Sequence, residues 1–172
     1  HYGNSLCAIN PDGSLKWKKD SIYSSYGGNA ISDEGEVFAF DRFSSILYGL
    51  SQEDGSLLWT ASISQGRLLC STGVIYAIGY DEVRALDSKT GIQLWSYQSS
   101  LQSLGRENTP VINSSNQLLL WGYSSSESSH KIEAISIATG SKQLSIAVQS
   151  SYQGEMLLGS DGVIYLGSSN SI

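Results

Sequence analysis

Residues that could do chemistry are few in this chain of 172 residues. The two histidines are His1 and His130, the two cysteines are Cys7 and Cys70, and 34 serines are spread along the sequence. A Ser/His/Asp triad could be assembled from these residue types, but no nucleophile-elbow motif surrounds a serine. The cysteines and histidines also lack the spacing of a zinc site. The residue types therefore favour a chain without a catalytic centre.

Carboxylates occur mainly beside glycines, in short polar segments. The segments are Asp12-Gly13, Asp33-Glu34-Gly35, Asp54-Gly55 and Asp161-Gly162. Asp side chains accept hydrogen bonds from nearby backbone N–H groups, and glycine adopts positive φ without a steric cost. Turn chemistry therefore explains these carboxylates, and no metal site is predicted from them.

Two further features bear on modification and on the cellular compartment. Asn113-Ser114-Ser115 is the N-x-S/T sequon of the chain and falls at a predicted hairpin turn. It is a candidate N-glycosylation site in a secreted eukaryotic protein and otherwise a simple turn. For Cys7 and Cys70, two buried free thiols are favoured over a disulfide between them. The cysteines leave the redox compartment open.

The charge balance limits the classes of partner. Ten Lys and Arg stand against sixteen Asp and Glu, for a net charge of -6. No basic stripe could neutralise phosphates, so nucleic acid and anionic membrane surfaces are not expected partners. Apolar residues are spread evenly, which predicts a globular chain, and no apolar run approaches the ~20 residues of a membrane span.

One pattern of residues repeats four times along the chain. An apolar strand is followed by a turn that ends on glycine, and a large apolar residue stands four positions after that glycine. The apolar residue is Trp in three repeats and Leu in the fourth. In chain order, the glycine and apolar pairs are Gly13 with Trp17, Gly55 with Trp59, Gly91 with Trp95, and Gly140 with Leu144. Four such coincidences predict four copies of one structural unit.

A second element accompanies each copy, in residues 30–40, 69–78, 111–121 and 157–166. Each of these segments reads as two short apolar strands joined by a turn of Ser, Asp, Asn and Gly. β-branched and aromatic residues dominate the apolar runs, and no segment keeps the spacing of an amphipathic helix. One complete period is therefore predicted to be a four-stranded antiparallel meander.

Four-stranded periods of about 40 residues are typical of β-propeller blades, which bury their faces only against neighbouring blades. The turn glycines are 42, 36 and 49 residues apart. The predicted fold class is all-β, a β-propeller of four-stranded antiparallel blades with about four blade periods. The predicted boundaries within one propeller region are a second half-blade over 1–22, blades over 28–62, 66–98 and 108–148, and a first half-blade over 152–172.

The third repeat carries the most specific motif. Residues 85–95 read A-x-D-x-x-T-G-x-x-x-W, which resembles the tryptophan-docking motif of the PQQ-like (quinoprotein alcohol dehydrogenase-like) propeller repeats. The other repeats match in part: the turn before Gly13 is one residue shorter, Gly49 replaces Ala, and Leu144 replaces Trp. The resemblance covers essentially the whole chain and implies a propeller that usually has eight blades.

The resemblance also implies structural roles for the repeated residues. Each motif Trp is expected to pack its indole between adjacent blades, against a glycine turn. An indole buries a large flat area, and its N–H needs an acceptor such as a backbone carbonyl. The expected blade-docking residues are Trp17, Trp59, Trp95, Gly13, Gly55, Gly91 and Gly140.

The family's quinoprotein dehydrogenases bind PQQ and calcium with two adjacent cysteines, a stacking Trp and a catalytic Asp. This chain has no Cys-Cys pair, and Trp121 falls on a strand equivalent to that of Phe40, which favours a place in the blade core. We therefore expect no cofactor, no metal and no enzymatic activity. The alternative is a fragment of a PQQ-dependent dehydrogenase whose active site lies outside this chain.

Both ends of the chain fall inside a blade period, because residues 3–6 have the same phase as residues 168–172. We expect an excerpt of a larger propeller. The alternatives are closure into a four-bladed ring, pairing of two chains into an eight-bladed ring, and head-to-tail strand donation. Open blade edges would promote self-association in an isolated excerpt.

These observations combine into one functional expectation. The chain is predicted to be a non-catalytic β-propeller scaffold that mediates protein–protein or ligand binding. The resemblance implies a secreted or periplasmic protein. The loops are Ser-rich and carry no evident anchoring residue, so the sequence identifies neither the partner nor the ligand.

Overall fold

A computed structural model describes residues 5–41, 43–63, 66–104, 109–148 and 156–167. All regular elements in these ranges are β-strands. The chain divides into two compact units, of which the first contains His1–Ala77 and Arg84–Leu94 and the second contains Ile78–Val83 and Trp95–Ile172. Among the described residues there is no helix with the length and apolarity to cross a membrane.

The first unit contains a two-stranded and a four-stranded antiparallel sheet. The two-stranded sheet pairs β1 (Ser5–Ile9) with β2 (Leu15–Asp20). The four-stranded sheet has the sequential order of β3 (Ser24–Ile31), β4 (Glu36–Asp41), β5 (Ile46–Ser51) and β6 (Leu57–Ser62). Sequential antiparallel order is a meander, as the repeat pattern predicts.

A second four-stranded sheet has residues in both units and is also sequential. Its strands are β7 (Arg67–Ser71), β8 (Val74–Ile78), β9 (Glu82–Asp87) and β10 (Gln93–Gln98). The second unit continues with a third meander and a hairpin. These strands are β11 (Val111–Ile112), β12 (Gln117–Ser124), β13 (Ser129–Ser136) and β14 (Lys142–Val148), then β15 (Met156–Leu158) and β16 (Ile164–Leu166).

The second strand of each meander is the most buried one. β4, β8 and β12 carry nearly continuous apolar runs, because both faces of these strands are covered. In the first unit, Phe38, Phe40 and Leu47 pack with the Trp59 indole. In the second unit, Trp121 is 2% exposed and packs with Ile132. The expectation that Trp121 belongs to the core is confirmed.

The cysteines differ from the sequence expectation. Both are free thiols, but Cys7 is exposed and Cys70 is half-buried. The prediction of two buried thiols is wrong for Cys7, because it pairs across the two-stranded sheet with the exposed Lys18. At the other thiol, burial raises the pKa of Cys70 to about 11, with a smaller contribution from the Asp33 and Glu36 carboxylates.

The hairpin between β7 and β8 contains a strained residue. Thr72 and Gly73 both have positive φ, at 49° and 74°, as in a type I′ turn. A β-branched residue is disfavoured there, whereas Asn-Gly is the preferred pair.

We therefore expect Thr72→Asn to raise the free energy of unfolding by about 1 kcal/mol, because it relieves unfavourable backbone geometry. The midpoint of urea unfolding measures this change. Thr72→Val keeps the β-branch and serves as the control, with no gain expected. A lower midpoint for Thr72→Asn than for the parent chain would contradict this account of the turn.

Candidate functional site

Each motif tryptophan lies against the glycine turn of the following repeat. A side chain on that glycine would begin inside the indole, since non-bonded carbon atoms normally stay about 3.5–4.0 Å apart. The distances from an added Cβ to the nearest indole atom are 2.7 Å for Gly55 and Trp17, 2.6 Å for Gly91 and Trp59, and 2.5 Å for Gly140 and Trp95. The indole therefore occupies the space that the missing side chain leaves free.

The indole N–H reaches a carbonyl in the same turn, three positions before the glycine. The donor–acceptor distances are 2.9 Å from Trp17 to Gln52, 2.8 Å from Trp59 to Ser88, and 2.9 Å from Trp95 to Ile137. The three receiving glycines have φ of 70°, 70° and 69°. Glycine is thus required twice at each turn, for the backbone conformation and for the space above it.

The Asp and Thr of the motif build the turn that receives the indole. In the third repeat, the Asp87 carboxylate accepts hydrogen bonds from the Thr90 hydroxyl at 2.7 Å and from the Thr90 and Lys89 backbone N–H groups. The Thr90 hydrogen bonds hold the pKa of Asp87 below its ordinary value. These bonds hold the loop in shape before Gly91, which explains the D-x-x-T-G spacing.

Two departures from the motif can be located in the structure. Gly49 replaces Ala in the second repeat, and an added Cβ there would lie 2.3 Å from Trp59, its cross-strand partner. The Gly13 turn is one residue shorter and closes with a bond from the Gly13 N–H to the Asn10 carbonyl. Among the described residues, no atom lies within 4 Å of an added Cβ at Gly13. The structure thus brings together three of the four predicted glycines with indoles.

The sequon asparagine is part of a turn. The Asn113 Oδ1 accepts from the backbone N–H groups of Ser115 and Gln117, both at 3.0 Å. Its Nδ2, the atom that a glycan would modify, donates to the Gln117 Oε1 at 2.7 Å. The hairpin therefore uses every polar atom of this side chain, and the geometry favours the turn role.

A buried carboxylate that sequence reasoning missed lies in the second unit. Glu133 on β13 is 0% exposed. Its Oε2 accepts from the Tyr97 hydroxyl at 2.9 Å and the Ser99 hydroxyl at 2.6 Å, and its Oε1 accepts from the Ser100 hydroxyl at 3.1 Å. Lys142 Nζ lies 3.6 Å from Oε1. A buried carboxyl group needs such hydrogen-bond partners, so the Glu133 contacts fix the segment that follows β10.

That segment, residues 99–104, is also held by backbone hydrogen bonds. The Ser99 N–H donates to the Asp81 carbonyl at 2.8 Å, and the Leu101 N–H donates to the Ser99 hydroxyl at 3.0 Å. Leu101 and Leu104 are buried. A Cβ added to Gly122 would lie 2.8 Å from the Gln102 carbonyl oxygen, so glycine lets β12 approach the segment closely.

The segment meets two hairpins, the one between β8 and β9 and the one between β12 and β13, each of which joins the second and third strands of its meander. Three exposed side chains lie at these contacts, and we call them the tyrosine edge: Tyr80, Gln102 and Tyr123. The Gln102 N–H donates to the Tyr123 carbonyl at 2.9 Å, and the Leu104 N–H donates to the Tyr80 carbonyl at 3.0 Å. Tyr80 is 46% exposed and Tyr123 is 39% exposed. The sequence signal for this edge is an aromatic residue beside a predicted hairpin turn.

A cavity of about 420 Å³ lies in the first unit, lined by Asp33, Glu34, Gly35, Glu36, Ser51, Gln52, Glu53 and Leu58. Two of its carboxylates already have cationic partners, Glu34 with Lys89 and Glu53 with Lys16. A third, Glu36, is hydrogen-bonded by the Ser32 hydroxyl. In the described ranges, no group of three His, Cys, Asp or Glu side chains is arranged to hold a metal ion.

Comparison with known families decides the relationship. The family model described as outer membrane protein assembly factor BamB matches residues 3–165. The chain belongs to this family. The resemblance to PQQ-like repeats inferred from the motif is thereby confirmed, and it extends over nearly all of the sequence. No curated protein matches the sequence.

Solved structures agree on the fold. BamB from Moraxella catarrhalis superposes with a TM-score of 0.71 at 18% identity, over 96% of this chain and 55% of that one. The WD40 β-propeller domain of Doa1 superposes with a TM-score of 0.69 at 16% identity, over 92% of this chain and 52% of that one. Hydrazine synthase from Kuenenia stuttgartiensis superposes with a TM-score of 0.67 at 8% identity, over 92% of this chain and 47% of that one. The chain spans about half of these structures, and the predicted β-propeller class is confirmed.

The glycine turns allow the indole contact to be separated from backbone strain. Gly91→Ala introduces a side chain at positive φ and into Trp59, whereas Gly13→Ala at φ 86° introduces the same kind of strain in open space. We expect Gly13→Ala to cost about 1 kcal/mol and Gly91→Ala about 1–3 kcal/mol more, because the indole must shift. Denaturant unfolding measures both, and equal losses would contradict indole docking.

The Glu133 cluster predicts a loss of stability at alkaline pH. Burial, and then the hydrogen bond to Glu133, raise the pKa of Tyr97. The unfolded state releases this proton near pH 10 while the folded state retains it, so the stabilisation is present below about pH 10 and is lost as the pH rises.

Unfolding free energies measured from pH 8 to 11 test this expectation. Tyr97→Phe should cost about 1 kcal/mol at pH 8, where the hydrogen bond is lost. Above pH 10, Tyr97→Phe should lose stability less steeply than the parent chain. Tyr165→Phe, at an exposed position on β16, is the matched control and should follow the parent. Parallel pH profiles for Tyr97→Phe and the parent would refute the buried-hydroxyl account.

Proposed function

We propose that this chain is a non-catalytic β-propeller scaffold that binds another protein. The observation that carries the proposal is the tyrosine edge, in which two exposed tyrosines accept backbone hydrogen bonds from the segment 99–104, and Glu133 holds that segment through Ser99 and Ser100. Rigid, exposed Tyr side chains provide large contact areas at a low cost in conformational entropy. Membership of a family described as an outer membrane protein assembly factor supports the same function.

The proposed location is secreted or periplasmic. The family description names an outer-membrane assembly factor, whose work lies outside the cytoplasm. The acidic balance of the chain, with a net charge of -6, is compatible with a protein partner and unfavourable for nucleic acid. An extracytoplasmic propeller that recruits a protein agrees with both observations.

We assign structural roles to the repeated residues in this scaffold. The indoles of Trp17, Trp59 and Trp95 dock against glycine turns, and their N–H groups are already bonded to backbone carbonyls. Trp121 is committed to the core and stacks on His130, with 5.2 Å between ring centroids. The tryptophans therefore serve packing, and none of them is available as a platform for a quinone cofactor.

A paired binding experiment tests the proposal. A protein captured by cross-linking from the envelope fraction of the source cells is produced in pure form and titrated into the chain by calorimetry. PQQ with Ca²⁺ is titrated in parallel, and dye reduction is measured with alcohols as substrates. We expect saturable binding of the purified protein at micromolar or lower Kd, together with no PQQ binding and no dye reduction.

Two results would overturn the proposal. Stoichiometric PQQ binding would favour a quinoprotein dehydrogenase fragment. Failure of every purified candidate to bind saturably would remove the scaffold function. The heat-unfolded chain is the control for non-specific adsorption, and it should not bind the purified partner.

A further inference from the structure

We propose that two copies of this chain assemble into a closed pair, in which β1 and β2 of one copy complete the sheet that β15 and β16 of the other copy begin. Each copy gives one such half-sheet and receives the other, so the contact β16–β1 occurs twice in the pair. This inference is independent of the proposed scaffold function, because it concerns how the chain assembles and not what it binds.

The two-stranded sheets are complementary halves of a meander. The β1–β2 turn ends on Gly13 and precedes a motif Trp, as the third-to-fourth turns of the complete sheets do. The β15–β16 turn is a first-to-second turn, since the Gly159 N–H donates to the Val163 carbonyl as the Ser32 N–H donates to the Glu36 carbonyl. In the described part of the chain, β1 pairs only with β2 and β16 only with β15. Each half therefore has one open edge, which is the edge that the other half would fill.

The complete sheets give the register of the missing contact. In the first of them, Phe38 on the second strand lies opposite Gly49, which is the cross-strand partner of the motif Trp. The third complete sheet has the same register. Tyr165 takes the place of Phe38 on β16, three positions after the turn glycine, and Ala8 on β1 is the cross-strand partner of its motif Trp. The inferred register therefore sets Tyr165 opposite Ala8.

Apolar residues at the two open edges are exposed where the complete sheets bury them. Tyr165 is 56% exposed and Ile9 is 61% exposed. The corresponding residues of the complete sheets are all at most 4% exposed: Phe38, Tyr76 and Leu119 for Tyr165, and Leu50, Leu86 and Ile135 for Ile9. Removing exposed apolar surface from water is the driving force for association.

Two departures from the tryptophan motif, Leu144 and the short Gly13 turn, meet at one contact in this pair. Each motif Trp lies against the glycine turn of the following sheet, and the sheet that follows Leu144 is the one that β15 and β16 begin. In the pair, the glycine turn of that sheet is the Gly13 turn. Leu144 is 49% exposed, and no described atom of the chain lies within 4 Å of an added Cβ at Gly13.

The Gly13 turn suits a residue that has no N–H donor. In the three turns that receive an indole, the glycine N–H donates to the carbonyl four positions before it, and the next carbonyl accepts from the indole. In the short turn, the Gly13 N–H itself donates at 2.9 Å to the carbonyl three positions before it, that of Asn10. The Leu144 side chain has no N–H to place there. This match favours a second copy of the chain over an unrelated strand as the occupant.

Length favours a closed pair over an open series of copies. The chain spans 55% of the BamB structure from Moraxella catarrhalis and 52% of the Doa1 domain. Two copies together therefore have about the length of either propeller. A pair that closes leaves neither edge open, whereas a head-to-tail contact that does not close produces filaments.

Light scattering after size-exclusion chromatography tests the assembly. We expect the chain at micromolar concentration to have twice the mass of one copy. Ile9→Lys places a charge at the β16–β1 contact and should give the mass of one copy. Ile92→Lys, at a position that is 65% exposed and outside the contact, is the matched control and should keep the double mass. Leu144→Lys replaces Ile9→Lys if that variant melts more than about two degrees below the control.

A disulfide tests the register. One position along from Tyr165 and Ala8, the inferred register sets Leu166 opposite Cys7, whose thiol is free and exposed. Facing Cα atoms of antiparallel strands are about 4.5–5.5 Å apart, within the range of about 4.4–6.8 Å that a disulfide spans. In a Cys70→Ser background oxidised with copper phenanthroline, we expect Leu166→Cys to give a covalent dimer. Tyr165→Cys is the control and should not, because neighbouring residues point to opposite faces of a sheet.

Four results would overturn the closed pair. They are the mass of one copy for the parent chain, equal masses for Ile9→Lys and Ile92→Lys, a ladder of linked species larger than a dimer, and a disulfide formed within one chain. Linking of Tyr165→Cys as readily as Leu166→Cys would show that the register is wrong. None of these results bears on the scaffold function, which the titration of the purified partner tests separately.

Discussion

The contact between an indole and the glycine turn of the next repeat is the constraint on which the rest of the structure depends. A blade-like sheet has apolar residues on both faces and cannot bury them alone. The motif tryptophan supplies a flat apolar surface and one N–H donor, and the next turn supplies a carbonyl at 2.8–2.9 Å and a glycine without a side chain. The contact is therefore directional, and it fixes which sheet follows which.

This constraint is local in sequence, which explains why so much of the fold could be predicted. The turn conformation comes from Asp87, Thr90 and Gly91 within five positions, and the Trp follows at a fixed distance. Strand periodicity and turn residues then predict the meander. The exposed Cys7 was not predictable in this way, because its exposure depends on the side chain opposite it in a two-stranded sheet.

The burial of Glu133 and the hydrogen bonds from the segment 99–104 to Tyr80 and Tyr123 could not be predicted, because both depend on contacts between segments far apart in the sequence. Glu133 occupies the same motif position as Cys7, Tyr48 and Arg84, immediately before the Ala or Gly of the repeat. Nothing in that position distinguishes a buried carboxylate from a half-buried cation. Its burial follows from Tyr97, Ser99 and Ser100, which lie 33–36 residues earlier. In the sequence, Ser99 and Ser100 predict only a polar loop. The structure shows that both hydroxyls donate to Glu133.

Each four-stranded meander has hairpin turns at both ends of its sheet, and the two ends are under different restraints. The first-to-second and third-to-fourth turns share one end, where the third-to-fourth turn must admit an indole and so keeps its length and its glycine. The second-to-third hairpin lies at the other end and is under no such restraint, and β12 and β13 extend to eight residues each there, against five or six in β4, β5, β8 and β9. Tyr80 and Tyr123 both belong to this less constrained end. The indole contacts and the tyrosine edge therefore lie at opposite ends of these sheets, so a substitution in the second-to-third hairpins leaves the indole contacts intact.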